Sequence, residues 1–439
     1  MISPLPRPTK RWRVPLHSIL ILFCAATGGR LAAAAPAWQA GAAAVDITPA
    51  GPIWQGGFAK RAGPSQGMAL PIKTKALALT DGAGTRLVIV TMDLLEIPRV
   101  MREKVEQEAA RRYQLAPESL LLNCSHTHSG PALNHEEVDV TAFYGFTPAD
   151  PIYRGKADAY LPVAEEKIVQ AIGQAIANLQ PATLDYTHAR AGFAMNRRLI
   201  VDNVVHHEAN PDGPVDHDVP VLRISGADGH IRAILFGYAC HNTTVTGSTR
   251  LISGDYAGFA QADLEKEHPG AIALFVQGAA GDQNPYPRGT VELAARFGRS
   301  LADSVDAALN VSVLRPVGGP LRTALGHAQL PYAETSRADL EKRLHSSDRM
   351  ARIRAAAWLK QLDTTGKLPA SYPCPVQVVR FGTDLLIVAV GGETTVEYSL
   401  RLKRELAGGP AAVWYAGYSN EVFGYLGSRK VLIEGGYEG

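Results

Sequence analysis

The chain has 439 residues, with 44 Lys and Arg against 42 Asp and Glu and a formal net charge of +2, a balance that argues against a nucleic-acid binder. Apolar residues make up 46% and charged residues 20%, as in ordinary globular proteins. The length suffices for one large core or two tightly joined lobes.

The chain starts with Arg7, Lys10, Arg11 and Arg13, then the apolar run VPLHSILILFCAATGG and the small-residue stretch LAAAAPA. This predicts a secretory signal over residues 1–35, too short and too lightly flanked for a spanning helix. Its basic residues read KRWR, which is not a twin-arginine signal, and Phe23 before Cys24 is bulky for a lipoprotein site. The expectation is a secreted or periplasmic protein with no transmembrane segment in its mature part, residues 36–439, a single domain.

Along the mature chain, apolar spacing predicts a strand over 87–93, a helix over 98–113, a strand over 119–128 and a helix over 157–178. A strand over 233–241, a helix over 255–267, a strand over 271–282 and a helix over 290–309 come next. The Pro/Gly-rich stretch 313–336 is a candidate lobe boundary, and a helix over 336–362 and a strand over 385–393 close the series. The strand runs are rich in Val, Ile, Leu and Ala without alternation, as in strands covered on both faces. Strands interleaved with helices predict an α/β fold, a mixed β-sheet core with flanking helices. Cys124, Cys240 and Cys374 are an odd set, expected to be inert buried thiols.

The five strand runs end in Asp93, in His126 with His128, in His241, in Asp282 and in Glu393. In sheets with a common strand direction, carboxyl ends gather on one edge, where ligands bind. Residues i and i+2 of an extended segment point to one side, so His126 and His128 can face one cavity, one binding a metal and the other free for proton transfer. His241 adds an imidazole and Glu393 a carboxylate; two His and a carboxylate form a catalytic zinc set that leaves a place for water.

The ordered set SHTHSGP (125–131), Cys240-His241, NRR (196–198), VD (215–216), GDQNP (281–285), GGETT (391–395), Tyr425 and Tyr437 resembles the catalytic domain of the neutral/alkaline ceramidases. The opening GAAAVDITPAG (41–51) resembles that family's start. The resemblance implies that a zinc ion (Zn2+) is held by His126, His241, Glu393 and Tyr425, with His128 as proton donor. It further implies that Arg197 and Tyr437 steady a developing oxyanion and that Asp282 lies beside the site. It implies hydrolysis of an N-acyl bond in a small-molecule or lipid substrate, met at a membrane surface. A metal-dependent esterase or phosphatase, an amino-sugar deacylase, and a non-catalytic lipid or carbohydrate binder are the alternatives.

Two departures stand out. Asn284 occupies the place of the family's serine in GDVSP, which excludes a serine nucleophile there. The sequence given ends at GGYEG, and the expectation is that the family's C-terminal β-sandwich domain is absent. The His- and acid-rich HHEANPDGPVDHD (206–218) reads as a surface turn apart from Asp216, which matches a family position. Asp255 reads as a helix cap.

Overall fold

The computed structural model describes residues 38–58, 61–133, 151–311, 313–347 and 349–439, so the signal expected over residues 1–35 lies outside the described residues. Nine strands form the larger sheet. Eight run in the order Ile272–Gln277, Ile231–Tyr238, Asp218–Gly226, Gln180–Arg190, Trp38–Asp46, Lys73–Thr80, Arg86–Met92, Leu120–Cys124; the ninth, Arg315–Pro316, pairs with Gln180–Arg190. A second sheet runs Leu321–Pro331, Ser371–Phe381, Leu385–Val390, Ala412–Ala416. The expected stretch 313–336 is where the chain passes from the first sheet to the second.

The strands lack alternation because both of their faces are covered. Along Arg86–Met92, Leu87 and Ile89 face the second sheet, against Val379, Phe381, Ile387 and Trp414, whereas Val88 and Val90 face helices Arg99–Tyr113 and Pro151–Ala177. Along Ile231–Tyr238, Leu235 takes the sheet side and Phe236 the side of helices Asp255–Glu267 and Val291–Val311. An apolar residue is therefore favoured at every position of such a strand. The architecture is the expected mixed β-sheet core with flanking helices, and among the described residues no helix is long and apolar enough to cross a membrane.

Three expectations need correction. The strands do not share a direction: only the two outermost pairs are parallel, and everything between them is antiparallel. The two edges nevertheless meet. Asn123 Nδ2 donates to the Gln277 carbonyl at 3.4 Å, and Gln277 N donates to Asn123 Oδ1 at 2.8 Å. The carboxyl ends of both parallel pairs are thus brought together by closure of the sheet. Second, the strand over 119–128 stops at Cys124, and His126 has a φ of 60°, so the two histidines sit on a turn and not on an extended segment. Third, the helix over 336–362 is two helices, Arg337–Arg343 and Arg349–Thr365; Arg352 Nη1 takes the carbonyls of Ser346 (2.7 Å) and Ser347 (3.1 Å) at the break.

Candidate metal centre

His126 comes after strand Leu120–Cys124, and its Nδ1 lies 2.6 Å from the Leu95 carbonyl, just past the parallel neighbour Arg86–Met92. His241 comes after strand Ile231–Tyr238, and its Nδ1 lies 2.6 Å from the Ala280 carbonyl, past the parallel neighbour Ile272–Gln277. A carbonyl can only accept, so each Nδ1 carries the proton and each Nε2 presents a lone pair. Both rings are buried.

Glu393 meets these lone pairs. Its Oε2 lies 3.2 Å from His126 Nε2 and 3.1 Å from His241 Nε2. The glutamate opens a two-residue strand that pairs in parallel with Tyr425–Leu426, where Glu393 N donates to the Gly424 carbonyl at 2.8 Å. Gly281 allows this approach: a Cβ there would sit 2.8 Å from the Glu393 carbonyl oxygen. Burial works against the Glu393 charge; a proton on the Nε2 of His126 or His241 outweighs it and holds the carboxyl well below its ordinary range. His241 is pushed down to about 3, by burial first and the Arg197 charge second.

The third imidazole closes the cluster. His128 Nε2 lies 3.2 Å from His126 Nε2, and ligand atoms of His126, His128 and His241 all fall within 4.8 Å of one another. Phe58 packs edge-on to the His128 ring at 4.8 Å, and Arg61 donates to the His128 carbonyl. A Cβ on Gly57, whose φ is 87°, would fall 2.4 Å from His128 Nδ1, so only glycine fits. Burial, then the neighbouring His126 and His241, holds His128 well below the ordinary imidazole range, so its resting form is neutral.

Three acceptor atoms converging at such distances repel unless a cation lies among them. One proton can bridge only one pair. Glu393 Oε1, fully buried, has no hydrogen-bond partner, which leaves a further donor pair free on the same group. The spacing approximates the roughly 3.3 Å between neighbouring ligands of a tetrahedral ion with 2.0–2.1 Å bonds. The three histidines, two of them buried and His128 half-buried, can thus form a metal site, and the donor set fits one.

Arg197 lies near Glu393. Its Nε donates to Glu438 Oε1 (2.8 Å), its Nη1 to Asn284 Oδ1 (3.1 Å) and its Nη2 to the Tyr425 hydroxyl (2.8 Å). Burial opposes the Arg197 charge, but Tyr425 and Glu438 outweigh it and keep the guanidinium well above its usual range. Tyr437 is exposed; its ring centroid lies 5.3 Å from that of Tyr425 and 5.9 Å from the Arg197 guanidinium. Asn284 Oδ1 also accepts from Thr243 Oγ1 at 3.2 Å.

Of the residues expected from the sequence, His126, His128, His241 and Glu393 stand in one cluster, with Arg197, Tyr425 and Tyr437 in an adjoining one. Tyr425 bonds Arg197 through its hydroxyl, and the tyrosine whose hydroxyl bonds Glu393 Oε2, at 3.1 Å, is Tyr418. Asp282 lies against Arg197, whose N donates to the Asp282 carbonyl at 2.9 Å, while its Oδ1 accepts from Val396 N at 2.8 Å, at the start of helix Val396–Glu405. Asp216 is held by Ser399 and Lys403. Asp255 opens its helix and accepts from the amides of Thr244, Val245 and Tyr256, and the three cysteines are free and buried. Tyr418 and Glu438 escaped the sequence reading. Tyr418 lies two residues past strand Ala412–Ala416, so the strand-end rule would have found it had AVWYA been taken as a strand.

Residues 38–300 match the family profile described as "Neutral/alkaline non-lysosomal ceramidase, N-terminal". The chain is 24% identical to a neutral ceramidase of Mycobacterium tuberculosis over 461 residues, covering 87% of this chain and 70% of that protein. It is 29% identical to neutral ceramidase A of Dictyostelium discoideum over 268 residues, covering 57% of this chain and 36% of that one. It therefore spans about a third of the length of some curated relatives it matches. In fold, it superposes on the crystal structure of neutral ceramidase from Pseudomonas aeruginosa with a TM-score of 0.70 at 22% identity, over 92% of this chain and 71% of that one.

Proposed function

The chain belongs to the neutral/alkaline non-lysosomal ceramidase family, and on that premise we propose that it is an exported zinc-dependent amidase cleaving an N-acyl bond, ceramide being the first substrate to test. The observation that carries this reading is the convergence of His126 Nε2, His241 Nε2 and Glu393 Oε2. His126, His241 and Glu393 would hold the ion. A bound zinc ion acts as a Lewis acid and makes water nucleophilic near neutral pH.

The chain's own groups do the rest. His128, neutral at rest, can take a proton from the attacking water at Nε2 and pass it to the leaving amine. Water's oxygen joins the acyl carbon, the C–N bond breaks, and the amine leaves with that proton while the acid carries the acyl chain. Arg197 is fixed by three partners before any substrate arrives, so it can meet a developing oxyanion with little reorganisation. The Tyr437 ring lies beside it, and its hydroxyl can donate to the same oxygen. Asn284 offers no nucleophile, which supports direct attack by water over an acyl-enzyme.

The test is metal analysis of purified protein, followed by assay of free amine from a panel spanning ceramide, N-acyl amino sugars and carboxylic esters. Stoichiometric zinc with amine released from ceramide supports the reading. Zinc-free protein with undiminished amidase activity refutes it.

A further inference from the structure

Large apolar side chains in solvent are normally scattered singly. Here six of them, each between 45% and 75% exposed, gather at one place: Ile200, Val201, Val204, Leu432, Ile433 and Tyr437. The first three sit at the tip of the hairpin Ala194–Val201 and Val204–Asn210. Asp202 and Asn203, with φ of 51° and 63°, make its two-residue turn, a geometry that fits the twist of the flanking strands and holds the tip rigid. Leu432 and Ile433 project from the short helix Arg429–Glu434.

The two elements are tied together. Arg198, inside the hairpin, donates to the Gly435 carbonyl at 2.8 Å and to Glu434 Oε2 at 3.2 Å. His207 packs edge-on to Tyr437 at 5.2 Å, and Tyr437 in turn meets Tyr425. The apolar patch thus begins at the rim of the candidate site.

Basic residues flank this patch. A surface cavity beside Ile433 is lined by Arg401, Arg404, Arg429 and Lys430. Arg401 pairs with Glu405, and Lys430 lies near Glu397 and Glu434. Arg404 and Arg429 make no ion pair among the described residues. Unpaired guanidiniums next to exposed aliphatic side chains match a phosphate headgroup layer above an acyl layer.

We propose that this patch docks the protein on a phospholipid bilayer, the hairpin tip and the helix entering the interface while Arg404 and Arg429 take headgroup phosphates. The docking stands on the exposed residues alone; its use, delivery of a lipid amide from the bilayer to the site, rests on the amidase reading.

The experiment is flotation of the full chain with phosphatidylcholine vesicles, with and without phosphatidylglycerol and without any amide. The protein should float with the vesicles. Leu432→Ser with Ile433→Ser, and separately Val201→Ser with Val204→Ser, should each weaken partitioning by about a hundredfold, two aliphatic side chains being withdrawn from lipid. Arg404→Gln with Arg429→Gln should lower binding to the anionic vesicles by about fivefold per charge, an effect that salt removes. All variants should keep wild-type turnover on a short, water-soluble N-acyl substrate. Vesicle binding that is absent, or unchanged in both apolar variants, overturns the proposal. So does a wild-type dimer that the apolar variants convert to monomer in sedimentation, which would assign the patch to a second copy. Failure to cleave any amide would sink the amidase reading and leave flotation untouched.

Discussion

At one edge of the large sheet, His126 lies just past a strand and is oriented by a carbonyl past that strand's parallel neighbour; at the other edge, His241 is placed and oriented in the same way. Each parallel pair is also followed by a buried aspartate, Asp93 one residue past its strand and Asp282 five residues past its strand, whose oxygen accepts a main-chain N–H. The unit that places a metal-facing imidazole is therefore a parallel strand pair, and its orienting partner is backbone. The edges differ in the residues next to the imidazole. Beyond His126 stands a second imidazole at i+2; beyond His241 stands Asn242, whose Nδ2 donates to the Ser125 carbonyl at 2.5 Å and ties the second edge to the first. On the proposed reading, metal binding would draw on both edges, and proton transfer on one.

That equivalence can be broken most sharply by removing a ligand. His126→Ala and His241→Ala should each lose the metal, read by mass spectrometry of the purified protein, and each lower activity by about 10³-fold or more. A variant that keeps its metal shows that the two edges are not equivalent. His128→Ala tests the asymmetry: metal should stay and the rate should fall by roughly 10²–10⁴, the worth of a general acid–base group. The loss should be largest for poorly leaving amines. If metal leaves with His128, that ring is a third ligand, as its place in the cluster permits.

Much of this site is legible in the sequence because a buried strand that stops at a titratable group is conspicuous there. His126, His128, His241 and Glu393 all carry that signal. What the sequence hides is geometry made by distant parts. Strand direction depends on pairing partners, so the sheet's antiparallel middle and its closure by Asn123 and Gln277 leave no local signal. The same rule misplaces Asp282, which stands five residues past the end of strand Ile272–Gln277 and whose Oδ1 serves the start of a helix. The positive φ of His126 carries no marker in a non-glycine residue. Glu438 is invisible because its partner, Arg197, lies 241 residues away.

The adjoining Arg197 cluster belongs to neither edge, and its loss should cost less. Lysine in place of Arg197 cannot reach Glu438, Asn284 and Tyr425 together. Arg197→Lys should keep the metal, lower kcat/KM by about 10²-fold, and lower the melting temperature because the buried hydrogen bonds of the guanidinium to Glu438, Asn284 and Tyr425 cannot all be remade. Asn284→Ala removes one of the three anchors and should cost less than about tenfold. No acyl adduct should appear on the protein in intact-mass measurements during turnover; an adduct would refute attack by water.

The smallest effect compares the two aspartates. Burial lifts Asp282 to about 6, above the usual aspartate value of 3.8. Between those two values the folded chain keeps a proton that the unfolded chain has lost. The stability contribution of Asp282 is therefore fully present below pH 4, falls as pH rises towards 6, and is flat above. Asp282→Asn keeps an acceptor for the Val396 amide and removes the buried charge. In urea titrations from pH 4 to 8 the variant should gain about 1–3 kcal/mol on the wild type across that window. Asp93 is also raised by burial, but Lys75, itself buried and paired with Glu265 at 2.6 Å, lies close enough to oppose the shift. Asp93→Asn removes a counter-charge from that lysine, so it should show no such gain and should destabilise the fold at neutral pH. Equal gains from both substitutions would mean that burial alone governs the two carboxylates and that the edges match in electrostatics as well as in geometry.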